Sequence, residues 1–188
     1  MSLLRSNLVI CSAAIANCTV VLVTLHAWGW NSPGCHAAAR NSARFSAMCF
    51  VIAFAAPGLM RFVRGLPSGA TLLWAWFAAH LVHFASVAIL FATFDRTQIA
   101  QHRGQTVLVV LIGSSVVFGA ASTIASHSRL RTVIHNALLY AVFGIFTLAF
   151  AHNPVVLLRV LAAALILALA LRLTACFKPA ETNLTPAD

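Results

Sequence analysis

The sequence predicts an all-α integral membrane protein built as a bundle of six transmembrane helices. Of the 188 residues, 61% are apolar and only 8% are charged, whereas a soluble domain carries about 45–50% apolar and about 25% charged residues. The apolar residues also form long runs, and six of these runs reach the roughly 20 residues that a spanning helix needs. Together these two observations exclude an ordinary soluble globular fold.

The first three predicted helices are, in order, Leu8–Trp30, Ala43–Met60 and Thr71–Phe94. The punctuation between them is typical of helix ends, because glycine and proline favour turns. Asn31-Ser-Pro-Gly ends the first helix, Gly65-Leu-Pro-Ser-Gly separates the second from the third, and Asp95-Arg96 closes the third. The first segment has an alternative interpretation as a signal peptide, processed or lipidated at Ile15-Ala-Asn-Cys18. Its apolar run is longer than a typical signal core, which favours a transmembrane helix.

The last three predicted helices are, in order, Thr106–Ile124, Thr132–Ala151 and Pro154–Cys176. Ser126-His-Ser-Arg precedes the fifth helix, and Asn153-Pro154 allows the sixth to begin with proline in its first turn. We therefore predict one transmembrane domain over residues 1–177. The polar tail over residues 178–188 is expected to be disordered.

The distribution of charge predicts the environment and the orientation. Twelve basic and three acidic residues give a net charge of +9, but the basic residues stand singly or in pairs between apolar runs, as in membrane proteins. We therefore expect a lipid bilayer as partner and no nucleic acid. With six spans, seven basic residues fall on the side of the termini and five on the other. This bias predicts the inner (cytoplasmic) membrane, with both termini in the cytoplasm.

Acidic residues and cysteines limit the possible chemistry. The only acids are Asp95, Glu181 and Asp188, so sites that need several carboxylates, such as di-iron centres and HExxH zinc centres, are not expected. The five cysteines show no CxxC spacing. They are expected to be small hydrophobes rather than zinc or iron–sulfur ligands, and their odd number argues against a disulfide framework.

Histidine is the residue type that points to a function. Three of the eight histidines, His80, His83 and His135, lie inside the third and fifth predicted spans, where an ionisable residue is costly and indicates a functional site. Two imidazoles from facing helices can hold a haem iron. His80 and His83 share one face of the third helix, so either could be one ligand, and His135 is the interior candidate on the fifth helix. Histidines that only link helices structurally are the alternative.

Two segments resemble the ferric reductase-like transmembrane domain family, and within it the haem-binding membrane subunits of periplasmic methionine sulfoxide reductase systems. They are Trp74–Leu90 and the run Arg129-Leu-Arg-Thr-Val-Ile-His135-Asn-Ala-Leu-Leu-Tyr. The resemblance implies that His83 and His135 are the two iron ligands. Counted in residues from the loop before each helix, at about 1.5 Å per residue, the two histidines differ in depth within the membrane by about 13 Å. Ligation by His80 would narrow that difference.

The second predicted helix extends the resemblance. Ala39–Phe45 and Ala56–Arg61 are similar to the start and end of the family's second helix. Arg40 and Arg44 would pair with haem propionates through guanidinium–carboxylate contacts, while interfacial snorkelling is the alternative role. The family's further histidine on the fifth helix is replaced by Leu148. One haem b is therefore expected, and the departure argues against a second.

The predicted function is a membrane b-type cytochrome that transfers electrons through a bis-histidine haem. The sequence contains no GxGxxG or P-loop motif, so the donor would be a quinol or a separate flavin reductase. A periplasmic redox partner would accept the electrons, which makes the protein an electron-transfer subunit of an oxidoreductase rather than a complete enzyme. The alternative function is a cofactor-free helical scaffold subunit of a larger membrane complex, since the small residues Gly113-Ser-Ser and Gly119 favour close helix packing.

Overall fold

The computed structural model describes residues 3–93, 103–122, 124, 128–151 and 155–175, without the side chains of residues 103–112. Over this part of the chain the structure is helical and contains no strand. The helices are α1 (Leu3–Trp28), α2 (Ser32–Leu59), α3 (Gly69–Thr93), α4 (Arg103–Ser122), α5 (Arg129–Ala151) and α6 (Val156–Thr174). The predicted all-α fold with six helices is confirmed.

The lengths and surfaces of these helices make the protein a multi-pass membrane protein. Within the described residues, five helices are long and apolar enough to cross a bilayer, namely all except α4. Large apolar side chains are exposed on the outside of the bundle, among them Leu8, Ile15 and Val160, which are 58–66% exposed. A soluble protein rarely exposes so much apolar surface, whereas lipid tails cover it at no cost.

Helix contacts define a ring of five helices with α1 outside it. Going around the ring, α2 contacts α6, α6 contacts α5, α5 contacts α4, α4 contacts α3, and α3 returns to α2. Helix α1 packs against both α2 and α3. Aromatic side chains fill the ring, where Phe50 and Trp76 are fully buried with their ring centroids 5.0 Å apart. Aromatic rings of this core also lie beside His80.

The start of α2 corrects one predicted boundary. We predicted Ala43, but α2 begins at Ser32 and has 28 residues. The Asn31 side chain caps the helix by accepting a 2.8 Å hydrogen bond from the Gly34 backbone nitrogen, and a proline occupies the first turn. Both features favour a helix start, whereas the prediction followed the apolar run and treated these residues as a loop. The other predicted helix ends within the described residues lie no more than five residues from the observed ends.

Helix α6 is fixed to its neighbours by one close backbone contact and by two arginines. A Cβ atom on Gly58 of α2 would lie 1.9 Å from the carbonyl oxygen of Leu171 on α6, so the two helices approach closely only because residue 58 is glycine. Arg61, just beyond α2, donates hydrogen bonds to the carbonyl oxygens of Thr174 and Ala175. Arg172 donates from α6 to the Phe54 carbonyl oxygen of α2 at 3.1 Å.

Candidate functional site

His80 lies at the centre of α3 and is the most buried of the predicted site residues, at 6% exposed. Its Nδ1 atom is 2.7 Å from Ser46 Oγ, which lies at the centre of α2. The hydroxyl of Ser46 is fully buried and fixes the orientation of the imidazole ring. A hydrogen bond at one ring nitrogen determines which nitrogen is left for another partner. If Nδ1 carries the proton, Nε2 is the nitrogen with a lone pair.

Four rings surround the His80 imidazole. The centroid of Phe84 is 4.5 Å away in an edge-on arrangement, and those of His83, Trp76 and Phe146 are at 5.3, 5.8 and 6.1 Å. Three of these rings come from α3 itself, and Phe146 comes from α5. The imidazole is therefore in an apolar, aromatic environment in the middle of the bundle.

His83 lies one turn beyond His80 and is half-buried. Its Nδ1 atom is buried and has no hydrogen-bond partner among the described residues. A buried polar atom without a partner costs free energy, so this nitrogen is a second candidate for a ligand.

A cavity of about 70 Å³ lies beside His80 between α3, α4 and α5. Its lining is apolar apart from the imidazole, and Gly113 contributes bare backbone on the α4 side. The lining residues are His80, Phe84, Gly113, Val117, Val142, Ile145 and Phe146. The residues of α5 at the level of His80 are therefore aliphatic and aromatic, and none of them is a histidine.

His135 is half-buried near the start of α5. Its Nδ1 atom is 3.2 Å from the carbonyl oxygen of Ala120 on α4, within reach for a hydrogen bond from the ring N–H. Seven residues separate His135 from Val142, which corresponds to about 10 Å along the helix. The structure therefore brings His80 and His83 together and places His135 about two turns further toward the end where α5 begins.

The predicted propionate partners lie at a different cavity. Arg40 and Arg44 line a space of about 270 Å³ between α2, α5 and α6, which we call the arginine cavity. Neither arginine lines the cavity beside His80. Phe146 lines the cavity beside His80 and Phe150 lines the arginine cavity, and their stacked rings have centroids 5.7 Å apart.

Sequence reasoning missed a group of buried polar atoms where α1 packs against α2 and α3. Asn17 of α1 is fully buried, and its amide nitrogen donates to the carbonyl oxygens of Ala79 at 2.7 Å and Ser42 at 3.4 Å. The Asn17 Oδ1 and Ser42 Oγ atoms are buried without a partner among the described residues. An asparagine inside the apolar run of α1 was the available signal, since polar residues within a span are costly.

A second missed residue is Arg172, a half-buried arginine in the last turn of α6. Its guanidinium donates to Asn136 Oδ1 at 3.0 Å, and it lies over the rings of Phe54 and Tyr140 at 4.7 and 5.7 Å. Planar guanidinium groups stack on aromatic faces and form several hydrogen bonds at once. Arg172 therefore connects α6 to both α2 and α5, close to the level of His135.

Comparison with known proteins adds no relative. No family model matches the chain, and neither the curated proteins nor the solved structures contain a significant match. The resemblance to the ferric reductase-like family therefore stays a prediction. Within the part of the chain that the structure describes, no group of three or more His, Cys, Asp or Glu residues could hold a metal ion. The histidine pair on α3 is the remaining candidate site.

Proposed function

We propose that this protein is a membrane electron-transfer protein of the b-type cytochrome class, in which His80 binds the iron of one haem. The observation that carries the proposal is the hydrogen bond between Ser46 and Nδ1 of His80 at the centre of the bundle. Metal-binding histidines almost always use their second nitrogen in this way, because the bond fixes both the tautomer and the ring orientation. A buried imidazole that is oriented in this way beside a cavity would suit an iron ligand.

The residues around His80 provide the apolar surroundings that a haem would need. Phe84 and Phe146 would form apolar walls and exclude water, and the bare backbone of Gly113 would admit a flat ring. A bound haem would supply reversible one-electron chemistry at its iron. The cavity of about 70 Å³ is smaller than typical ligand pockets of about 300–1,000 Å³, so binding requires these two phenylalanines to turn aside.

The α5 side of the cavity offers no ligand at the level of His80, since Val142 and Phe146 lie there. With His80 as the ligand, a haem at this cavity would be held by one histidine. The pair His83 and His135, implied by the family resemblance, stays an untested alternative that requires α5 to shift by about two turns relative to the cavity.

The proposed electron path follows from what the sequence contains. No nucleotide-binding motif is present, so a quinol or a separate flavin reductase would supply electrons, and a periplasmic redox partner would accept them. The corresponding location is the inner (cytoplasmic) membrane with both termini in the cytoplasm, as the basic residues favour.

A cofactor-free subunit of a larger membrane complex is the second candidate function. The small size of the cavity beside His80 favours it, because the imidazole and the aromatic rings occupy most of the space at the centre of the bundle. In that case the hydrogen bond between Ser46 and His80 only joins α2 to α3.

An absorption spectrum of the purified protein, before and after dithionite, separates the two candidates. The cytochrome proposal predicts a haem spectrum that His80→Ala abolishes. His135→Ala should retain the haem, and His26→Ala, which changes an exposed histidine at the end of α1, serves as the control. Loss of haem in His135→Ala with retention in His80→Ala would instead support the ligands implied by the family resemblance. A colourless protein after expression with added haem would favour the structural subunit.

A further inference from the structure

The arginine cavity lies level with the ends of two helices. Its walls include Ala149 and Phe150, at the end of α5, and Val155 and Leu158, at the start of α6. In a multi-pass protein, the ends of spanning helices lie near the interface between lipid tails and head groups. Arg40 and Arg44 therefore present their guanidinium groups close to the depth of lipid phosphates.

Both arginines have donors available for an anion. Arg44 is half-buried, and its Nη1 atom donates a hydrogen bond to Asn41 Oδ1 at 3.1 Å. Arg40 is exposed and lies one helical turn away on the same face of α2. The described residues include no carboxylate at all. Two guanidinium groups lining one space create a strong preference for a phosphate or carboxylate group.

Apart from the two arginines, the lining of the cavity is apolar. Phe150 and Leu158 are buried in its wall. Beside it, Val156, Leu157 and Val160 of α6 are 73%, 51% and 58% exposed. A small inorganic anion would contact only the guanidinium groups and none of this apolar surface. A molecule with an anionic head and an apolar tail would satisfy both the guanidinium groups and the aliphatic surface.

We propose that the arginine cavity is a binding site for an anionic phospholipid. Arg40 and Arg44 bind the phosphate in the cavity, and the acyl chains lie along α5 and α6. The volume of about 270 Å³ is roughly nine times the ~30 Å³ that one water takes up in the liquid, which accommodates a phosphate with part of its glycerol group. This inference uses neither the haem nor the histidines and so stands apart from the proposed function.

The test measures lipid retention by native mass spectrometry of the full chain in detergent, with added phosphatidylglycerol, phosphatidylcholine or inorganic phosphate. Wild-type protein should retain phosphatidylglycerol over phosphatidylcholine, and millimolar inorganic phosphate should not displace it. Arg44→Gln and Arg40→Gln should each lower the apparent affinity about tenfold, as expected for one charge-assisted hydrogen-bonding group. Arg129→Gln, an exposed arginine at the other end of the bundle, should change nothing.

Ala149→Trp provides a second variant that leaves the charge unchanged. A large side chain in the wall of the cavity should reduce phosphatidylglycerol retention while both arginines remain, and it covers the case in which Arg44→Gln does not fold. Equal retention by all variants would overturn the proposal, as would displacement by inorganic phosphate.

If the arginine variants instead lose haem and keep phosphatidylglycerol, the cavity serves haem propionates and the lipid proposal is wrong. If the purified protein contains no haem but retains phosphatidylglycerol as predicted, the result would support the lipid site and refute only the proposed function.

Discussion

Ser42 and Ser46 lie one turn apart on α2 and are both fully buried, but their hydroxyl groups have different surroundings. Ser46 Oγ forms a hydrogen bond with His80, whereas Ser42 Oγ has no partner among the described residues. Removing one member of a buried hydrogen bond leaves the other unsatisfied, while removing an unpartnered hydroxyl relieves a desolvation cost. Two identical side chains should therefore contribute very differently to stability.

We predict that Ser46→Ala lowers the free energy of unfolding by about 1 kcal/mol, since hydrogen bonds between membrane helices contribute about 0.6 kcal/mol on average and an unsatisfied partner adds to the loss. Ser42→Ala should change it by less than about 0.5 kcal/mol. Unfolding in mixed detergent micelles, followed by circular dichroism, measures both. Equal effects of the two substitutions would contradict the assignment of Ser46 as the partner of His80.

Asn17 joins three helices, because its amide on α1 donates to backbone oxygens of both α2 and α3. We predict that Asn17→Ala lowers the free energy of unfolding by about 1–2 kcal/mol through the lost hydrogen bonds and the small cavity left behind. Thr19→Ala is the matched control, since the exposed hydroxyl of Thr19 bonds only within its own helix, to the Ile15 carbonyl oxygen at 3.0 Å. The same unfolding assay applies. An equal loss in the two variants would show that the contacts of Asn17 do not stabilise the bundle.

For individual residues, the sequence indicated which ionisable side chains lie inside the spans, but not which groups they contact. His80 and His83 were identified from their positions in an apolar run. Ser46 was not, because a serine in such a run carries no signal of its partner, which depends on how α2 is rotated about its axis. The same reason applies to His135, whose level relative to His80 depends on the axial position of α5.

Between elements, the close approach of α2 and α6 depends on Gly58. A Cβ atom at this position would lie 1.9 Å from a backbone oxygen of α6, and backbone cannot turn aside as a flexible side chain can. We predict that Gly58→Ala lowers the free energy of unfolding by about 3 kcal/mol, at the upper end of typical overpacking costs. Gly144→Ala on α5 is the control.

A Cβ atom at Gly144 would have no neighbour within 4 Å, so the control substitution should stabilise the helix by about 0.5–1 kcal/mol. Opposite signs for the two variants in the same unfolding assay are the expected result. A small effect of Gly58→Ala would mean that α6 lies further from α2 than the structure shows.

The helix boundaries illustrate what apolar runs predict and what they miss. The runs identified all six helices, because a spanning helix must be apolar over most of its length. They placed the start of α2 at Ala43 and missed the preceding eleven residues. Those residues include Arg40 and a proline-containing first turn, and they are helical because Asn31 caps them. Capping chemistry was a better guide to this boundary than hydropathy.

For the whole molecule, the contacts between helices show the directions in which they run. Gly58 of α2 is near Leu171 of α6, and Arg44 lines a cavity with Leu158. The residue numbers of α2 and α6 therefore increase in the same direction, so these two helices are parallel. Along α4 and α5 the residue numbers increase in opposite directions. Gly119 and Ala120, late in α4, are near Leu138 and His135, early in α5. Gly113, earlier in α4, shares a cavity with Phe146, later in α5. Helix α4 is thus antiparallel to α5.

These directions lead to a prediction about topology that the count of apolar helices does not decide. Helix α4 has 20 residues, a length of about 30 Å that matches the hydrocarbon core, and its antiparallel contacts with α5 indicate that it crosses. Reporter fusions after Arg64, which follows α2, and after Lys178, which follows α6, should therefore report the same compartment. A fusion after Trp30 should report the opposite one. The excess of basic residues on the side of Arg64 predicts that this shared compartment is the cytoplasm. If Arg64 and Lys178 reported different compartments, α4 would lie outside the membrane and the ring of five spanning helices would be wrong.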